Sequence, residues 1–488
     1  MRTRPKGTFS LRSFEFVALV MVRKMGLRCF TTRGDLVMTR TFSLSYCCTK
    51  TVNSAARVAD LFDKAELLRA YVGKKHDIIA VVPRGVGATL PAMTCDITRL
   101  QAIERLLEMQ NTVSGYDQAS LVENYAIGES IHLDCDAMKP DLIPYIGTVA
   151  VAQDMEHVRK ALGQEKLSYL GFSYGTALGG TYAALYPDRI GRMVLDGVLD
   201  LNDYYKWNKD PGLDIGDADL AFEHFFQACH DAGKKACSIW AANIDAIREK
   251  LDRADQQLYT APLPVPGYPL LSWPIWRSGV YNALYRPAQG FPLLAGAVSE
   301  ILSGVAGPYI EGYMAIVQGA LTSADDWPKD PKTGLNNSPN GGTYISCADS
   351  GGPSKKLDQA DLAALFSRYN KTSDVFGGIS WQFAIFCDGA RLNTKARYTK
   401  EFNDIKTANP ILFVGNTADP TTPIRNAHAM SKVFLGSRVL TVDGTGHLSF
   451  NAAQDPTKCG AKWIAPYFEN GTLPPAGTVC DGNQKPFG

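Results

Sequence analysis

Strands alternating with helices predict an α/β chain, with a mostly parallel sheet covered by helices on both faces and an inserted helical cap. Three observations carry this. Apolar runs such as DIIAVV (77–82) and LSYLGF (167–172) lack strict alternation, as strands buried on both faces do. Helical periodicity follows them, as in TVAVAQDMEHVRKALG (148–163). The rhythm then stops over residues 201–340, which are rich in Trp, Tyr and Pro, and resumes before the C-terminus.

Taken in order, 77–82 reads as a buried strand ended by Pro83 and the Gly85/Gly87 turn. In 148–163, Val149, Ala152, Met155, Val158, Ala161 and Leu162 share one side, and Gly163 stops the helix. LSYLGF is the next strand, YGTALGGTYAALYP a helix stopped by Pro187, and RMVLDGV (192–198) another strand. Helical patches in the interlude, DADLAFEHFFQACHDAG and ANIDAIREKLDRADQQL, fit a cap, with 322–343 as its exposed exit loop. After DLAALFSRY come a strand (410–416), a helix (424–434), a strand (437–443) and a last helical segment, KWIAPYF (462–468). The expected organisation is a basic leader (1–60), a first core part (61–200), the cap (201–340) and a second core part (341–488).

The 488 residues carry a formal net charge of +1, which gives no support for a polyanionic partner such as nucleic acid. No apolar run approaches the roughly 20 residues of a membrane span. Residues 1–50 hold ten Lys/Arg against Glu15 and Asp35. Such a start suits an organellar transit peptide or a secretory signal, yet Glu15 and Arg23-Lys24 fit neither, and a disordered leader or wrongly assigned start stands beside them. Cys29, Cys47 and Cys48 lie in this leader. The other eight cysteines form an even set, whose simplest pairing is sequential: 95–135, 229–237, 347–387 and 459–480. With sequons at Asn336, Asn370 and Asn470, they favour an oxidising, secretory environment over buried thiols in a cytosolic enzyme.

The stretch GFSYG (171–175) lies between a strand and a helix. A turn that tight needs small neighbours, strains the serine backbone and lifts its hydroxyl above the sheet. Ser173 is therefore the candidate nucleophile, and the Tyr174 N–H, at the positive end of the following helix, the candidate oxyanion donor. A serine needs a base held by an acid. Of seven histidines, His447 alone lies in a glycine-marked loop after a late strand (VDGTGHLSF), whereas His76, His132, His157, His224, His230 and His428 lack a special setting. Asp419, just beyond a strand in ILFVGNTADPTTP, is the favoured acid, with Asp196 as its rival and Asp443 read as support for the local loop. Trp207, Trp240, Trp273 and Trp276 are read as cap core or as lining of a cleft.

The blocks PRGVGATLP (83–91), 171–198, 411–423 and GTGHLSF (444–450) resemble α/β-hydrolases of the tripeptidyl and prolyl aminopeptidase type over roughly residues 75–488. The resemblance implies an α/β-hydrolase fold, peptide-bond hydrolysis at a free N-terminus, Ser173, Asp419 and His447 as the triad, and a substrate cleft shaped by the cap. Such relatives carry a glycine-rich oxyanion segment upstream and an acid before Pro-Arg-Gly. Nothing like the first occurs in residues 1–75, and Val82 replaces the second. Two rival readings follow: an esterase or thioesterase acting on a small metabolite, and a non-catalytic binding protein. No metal-ligand or nucleotide-loop pattern occurs, and no cofactor is expected.

Overall fold

Among the described residues, eight strands form one sheet in the order β2-β3-β1-β4-β5-β6-β7-β8. They are β1 (Leu19–Lys24), β2 (Arg40–Thr41), β3 (His76–Val81), β4 (Leu167–Phe172), β5 (Ile190–Asp196), β6 (Ile411–Ala418), β7 (Arg438–Thr445) and β8 (Val479–Asp481). The computed structural model describes residues 19–24, 40–41, 65–86, 118–138, 141–206, 215–268, 270–314, 341–351, 356–373, 375–390 and 394–488, with residue 392 and scattered positions between 89 and 108. Strands β4 to β8 pair in parallel throughout. β1 is antiparallel to both β3 and β4, with Val20 opposite Ala80 and Leu170. The stretch read as a leader thus contributes a strand to the centre of the sheet. Its N-terminal end lies toward Phe172, and Lys24 lies toward the end of the sheet away from Ser173.

Alternate side chains of the parallel strands feed two apolar layers. On one face Tyr169, Met193, Leu195, Ile411 and Phe413 pack against α3 (Thr148–Ala161), α4 (Tyr174–Leu185) and α12 (Ile424–Val433). On the other, Leu170, Phe172, Val194, Leu412, Val414 and Leu440 pack against α1 (Ala65–Val72) and α13 (Ala465–Asn470). Strands sandwiched in this way are apolar on both sides, which explains their continuous runs.

Between β5 and β6 the described residues form helices joined by loops, with two isolated bridges, Leu263 to Leu271 and Ile405 to Phe434, and no further strand. Helices α5 (Ala218–Ala232), α6 (Ile244–Thr260), α7 (Trp273–Tyr285) and α8 (Pro287–Leu302) enclose a core of their own, in which Phe222, Phe225, Phe226, Phe291 and Phe376 meet largely edge to face. Asn243 caps α6 by accepting from Ala246 N–H at 2.8 Å. Three further helices, α9 (Gly341–Ser350), α10 (Gln359–Thr372) and α11 (Gly377–Ala390), join α2 (Gln118–Met138) in smaller clusters. The expected exit loop needs one correction. Gly341, Gly342 and Thr343 are not exposed loop but the buried first turn of α9; residues 322–340 lie outside the described residues.

The four expected cysteine pairs are disulfides, with Cα separations of 4.4 Å (Cys95–Cys135), 5.3 Å (Cys229–Cys237), 4.7 Å (Cys347–Cys387) and 6.1 Å (Cys459–Cys480). The third ties α9 to α11. No helix among the described residues is long and apolar enough to cross a membrane.

Candidate active site

Ser173 occupies the single residue between β4 and α4, with φ 51° and ψ −121°. A non-glycine residue there carries backbone strain, which persists only where its surroundings fix it. Several groups do so. Ser173 N–H donates to the Asp196 carbonyl at 3.0 Å, and its own carbonyl accepts from Thr176 N–H at 2.8 Å and Thr176 Oγ1 at 2.7 Å. A Cβ at Gly171 would stand 2.5 Å from the Gly175 carbonyl oxygen and 2.6 Å from the Tyr169 ring, so only glycine lets β4 and α4 approach this closely. The serine is half-buried rather than sealed in.

Asp419 follows β6 and is fully buried. Its Oδ1 accepts from Thr421 N–H at 3.0 Å and Thr422 N–H at 2.9 Å, and Oδ2 accepts from Leu448 N–H at 3.2 Å. His447 Nδ1 lies 3.1 Å from both carboxylate oxygens and 3.1 Å from Thr422 Oγ1. With Nδ1 committed to the acid, Nε2 is the ring nitrogen left for proton exchange. The imidazole also abuts Gly197: a Cβ there would stand 3.2 Å from His447 Cε1. Gly197 directly follows the carbonyl that holds Ser173, so the ring lies across the end of β5 beside the serine turn.

The two rival acids are occupied elsewhere. Asp196 is buried, accepts from Ser449 N–H at 3.0 Å and Ser449 Oγ at 2.6 Å, and has no hydrogen bond to the imidazole. Burial pushes its carboxyl up to about 6 against those hydrogen bonds. Asp443 accepts from Thr417 Oγ1 at 2.9 Å and supports its own loop.

Tyr174 opens α4 and is buried, with its phenol 2.7 Å from Thr148 Oγ1. Thr148 in turn donates through N–H (2.8 Å) and Oγ1 to Asp349 of α9, which also accepts from the Tyr204 phenol at 2.8 Å. Burial raises the Asp349 carboxyl to about 6. Helix α9 thereby reaches the residue whose amide was singled out as oxyanion donor. Sequence reasoning missed Asp349, because one acid among small residues carries no local signal.

The tryptophans fall in the cap interior. Trp273 and Trp276 donate from Nε1 to Asp255 at 2.9 and 3.2 Å, and Trp240 donates to the His230 carbonyl at 3.0 Å. Trp207 lies outside the described residues. Among the other histidines, His224 of α5 has Nδ1 2.6 Å from Thr445 Oγ1, two residues before His447.

A family model described as "alpha/beta hydrolase fold" matches residues 52–296, and one described as "TAP-like protein" matches residues 375–480. Similar proteins include the serine protease Hip1 of Mycobacterium tuberculosis, 26% identical over 433 residues, spanning 84% of this chain and 75% of the relative. Tripeptidyl aminopeptidase of Streptomyces lividans is 24% identical over 428 residues, spanning 86% of this chain and 72% of the relative. Carboxylesterase B of Mycobacterium tuberculosis is 27% identical over 438 residues, spanning 88% of this chain and 77% of the relative.

Proposed function

This chain belongs to the α/β-hydrolase fold family, and on that premise we propose a serine exopeptidase in which Ser173, His447 and Asp419 form the catalytic triad. The observation that carries this reading is the buried Asp419–His447 pair beside the strained Ser173 turn. Ser173 Oγ attacks the scissile carbonyl while His447 Nε2 takes its proton, and Asp419 stabilises the resulting imidazolium. The tetrahedral oxyanion is held by the Tyr174 N–H at the head of α4. Collapse expels the amine, which receives the proton from His447. Water then attacks the acyl-enzyme by the same route and releases Ser173.

Hydrolysis of a peptide bond near a free N-terminus comes first, because two of the similar proteins are named a serine protease and a tripeptidyl aminopeptidase. Helices α5–α8 would cap the cleft. An esterase is the second reading, favoured by the similarity to a carboxylesterase, since a triad of this kind does not separate amide from ester. Turnover of N-terminally free tripeptide anilides, blocked anilides and aryl esters separates the two. The peptidase reading expects the free anilides to be cleaved fastest and Ser173→Ala to lower that rate at least about 10⁴-fold. Cleavage of esters alone would end it.

The four disulfides support folding in an oxidising compartment, and we place the chain in the secretory route or outside the cell. Asn470 is exposed and Asn370 half-buried, so glycosylation there depends on the source; Asn336 lies outside the described residues.

A further inference from the structure

We propose that Tyr285, the last residue of α7, is a positioning residue for the base, so that the helical insertion forms part of the catalytic frame; this rests on the triad reading above. Tyr285 touches both loops that carry the acid and the base. Its carbonyl accepts from His447 N–H at 3.0 Å. Its ring meets the imidazole with centroids 5.2 Å apart at 72°, an edge-to-face contact. Its phenol is hydrogen-bonded to Thr421, two residues beyond Asp419.

Neighbouring residues strengthen the same junction. Tyr281, one helical turn earlier on the same face, donates its phenol to the Pro420 carbonyl at 3.3 Å. Pro287, which opens α8, and the Tyr285 carbonyl press against Gly446: a Cβ there would stand 2.9 Å from Pro287 Cδ and 3.1 Å from Tyr285 O. Gly446 also has φ +125°, so the glycine before the base is required both by backbone conformation and by the approach of the insertion.

The core alone leaves the imidazole an incomplete cradle. Asp419 and Thr422 fix Nδ1, but the exposed side of the ring and its backbone amide are fixed from α7. His447 and Tyr285 are both buried, 1% and 8% exposed, and the tyrosine ring is part of what excludes water from the Asp419–His447 pair. A general base must hold its nitrogen within hydrogen-bonding reach of the nucleophile, and a displacement of about 1 Å costs on the order of 10²-fold in rate.

The test compares Tyr285→Leu and Tyr285→Phe with the wild type on a tripeptide anilide, with active sites counted by fluorophosphonate titration. Loss of the ring in Tyr285→Leu is expected to lower kcat about 10²-fold per titrated site, with KM within about twofold. Tyr285→Phe keeps the ring and loses the phenol's bonds to Thr421 and Tyr281, so kcat should fall several-fold at unchanged KM. That variant carries the test alone if the leucine variant does not fold. A raised KM with unchanged kcat would make Tyr285 a substrate contact and overturn the proposal. So would a lower melting temperature with kcat per site unchanged, which marks a purely structural role. Full turnover by Ser173→Ala or His447→Ala would instead bring down the triad itself, whatever the Tyr285 variants do.

Discussion

Two buried carboxylates approach His447, the proposed base, and their hydrogen-bond partners separate their roles. Asp419 accepts three backbone N–H groups and meets the imidazole Nδ1, so it is fixed against the ring. Asp196 accepts only from Ser449, whose hydroxyl also meets the Tyr71 phenol at 2.8 Å, and burial lifts it from 3.8 to about 6. A carboxyl raised on folding binds its proton more tightly in the native state. The stability it contributes is therefore present below about pH 4 and is lost as pH rises to about 6. Asp196→Asn removes that titration. The melting temperature of the variant minus that of the wild type should increase from about pH 4 to 6 and level off above, as read by calorimetry. A difference that falls over that range would mean the native state favours the ionised form.

At the scale of elements, α9 deserves its position to one side chain. Asp349 joins α9 to the first turn of α3 and, through Thr148, to Tyr174 at the head of α4. Asp349→Ala leaves Thr148 N–H, Thr148 Oγ1 and the Tyr204 phenol without their shared acceptor. The variant should lose about 3 kcal/mol in denaturant unfolding, with activity falling at temperatures where the wild type is still folded. A change within about 0.5 kcal/mol would show that water replaces the carboxylate at no cost. The sequence made β4 to β7 visible, because strands buried on both faces are apolar runs and each ends at a recognisable turn. The observed limits of β4 match those read, and those of β5, β6 and β7 shift by only one or two residues. By contrast, β1 was hidden in a basic segment: its short apolar run gives no hint of partners as distant as Val81 and Leu170. Gly341–Thr343 looked like loop because small residues have no helical signal of their own. Burial beside the Cys347–Cys387 bridge and Asp349 overrides that local preference.

The whole molecule sets the C-terminal ends of its central strands against an insertion, and the proposed triad lies at their meeting line. Ser173 was legible because its motif is local: five residues encode the turn. His447 and Asp419 were legible from their places after late strands. Tyr285 and Tyr281 were not, since what they touch is far away in sequence and a tyrosine pair one turn apart reads as ordinary core. The C-terminal segment closes the arrangement. Gln484 accepts from Thr445 N–H at 3.2 Å and donates to the Thr445 and Asn451 carbonyls at 2.9 and 2.7 Å, while Phe487 packs on the insertion's aromatic core. The base loop is thus gripped by the sheet, the insertion and the tail together. The central claim is that this grip makes one hydroxyl nucleophilic. Its most direct test is peptide mapping by mass spectrometry after treatment with a fluorophosphonate. A single adduct on Ser173, lost in His447→Ala, is the predicted result; an unmodified Ser173 in folded wild-type protein, or an adduct confined to another residue, would contradict it.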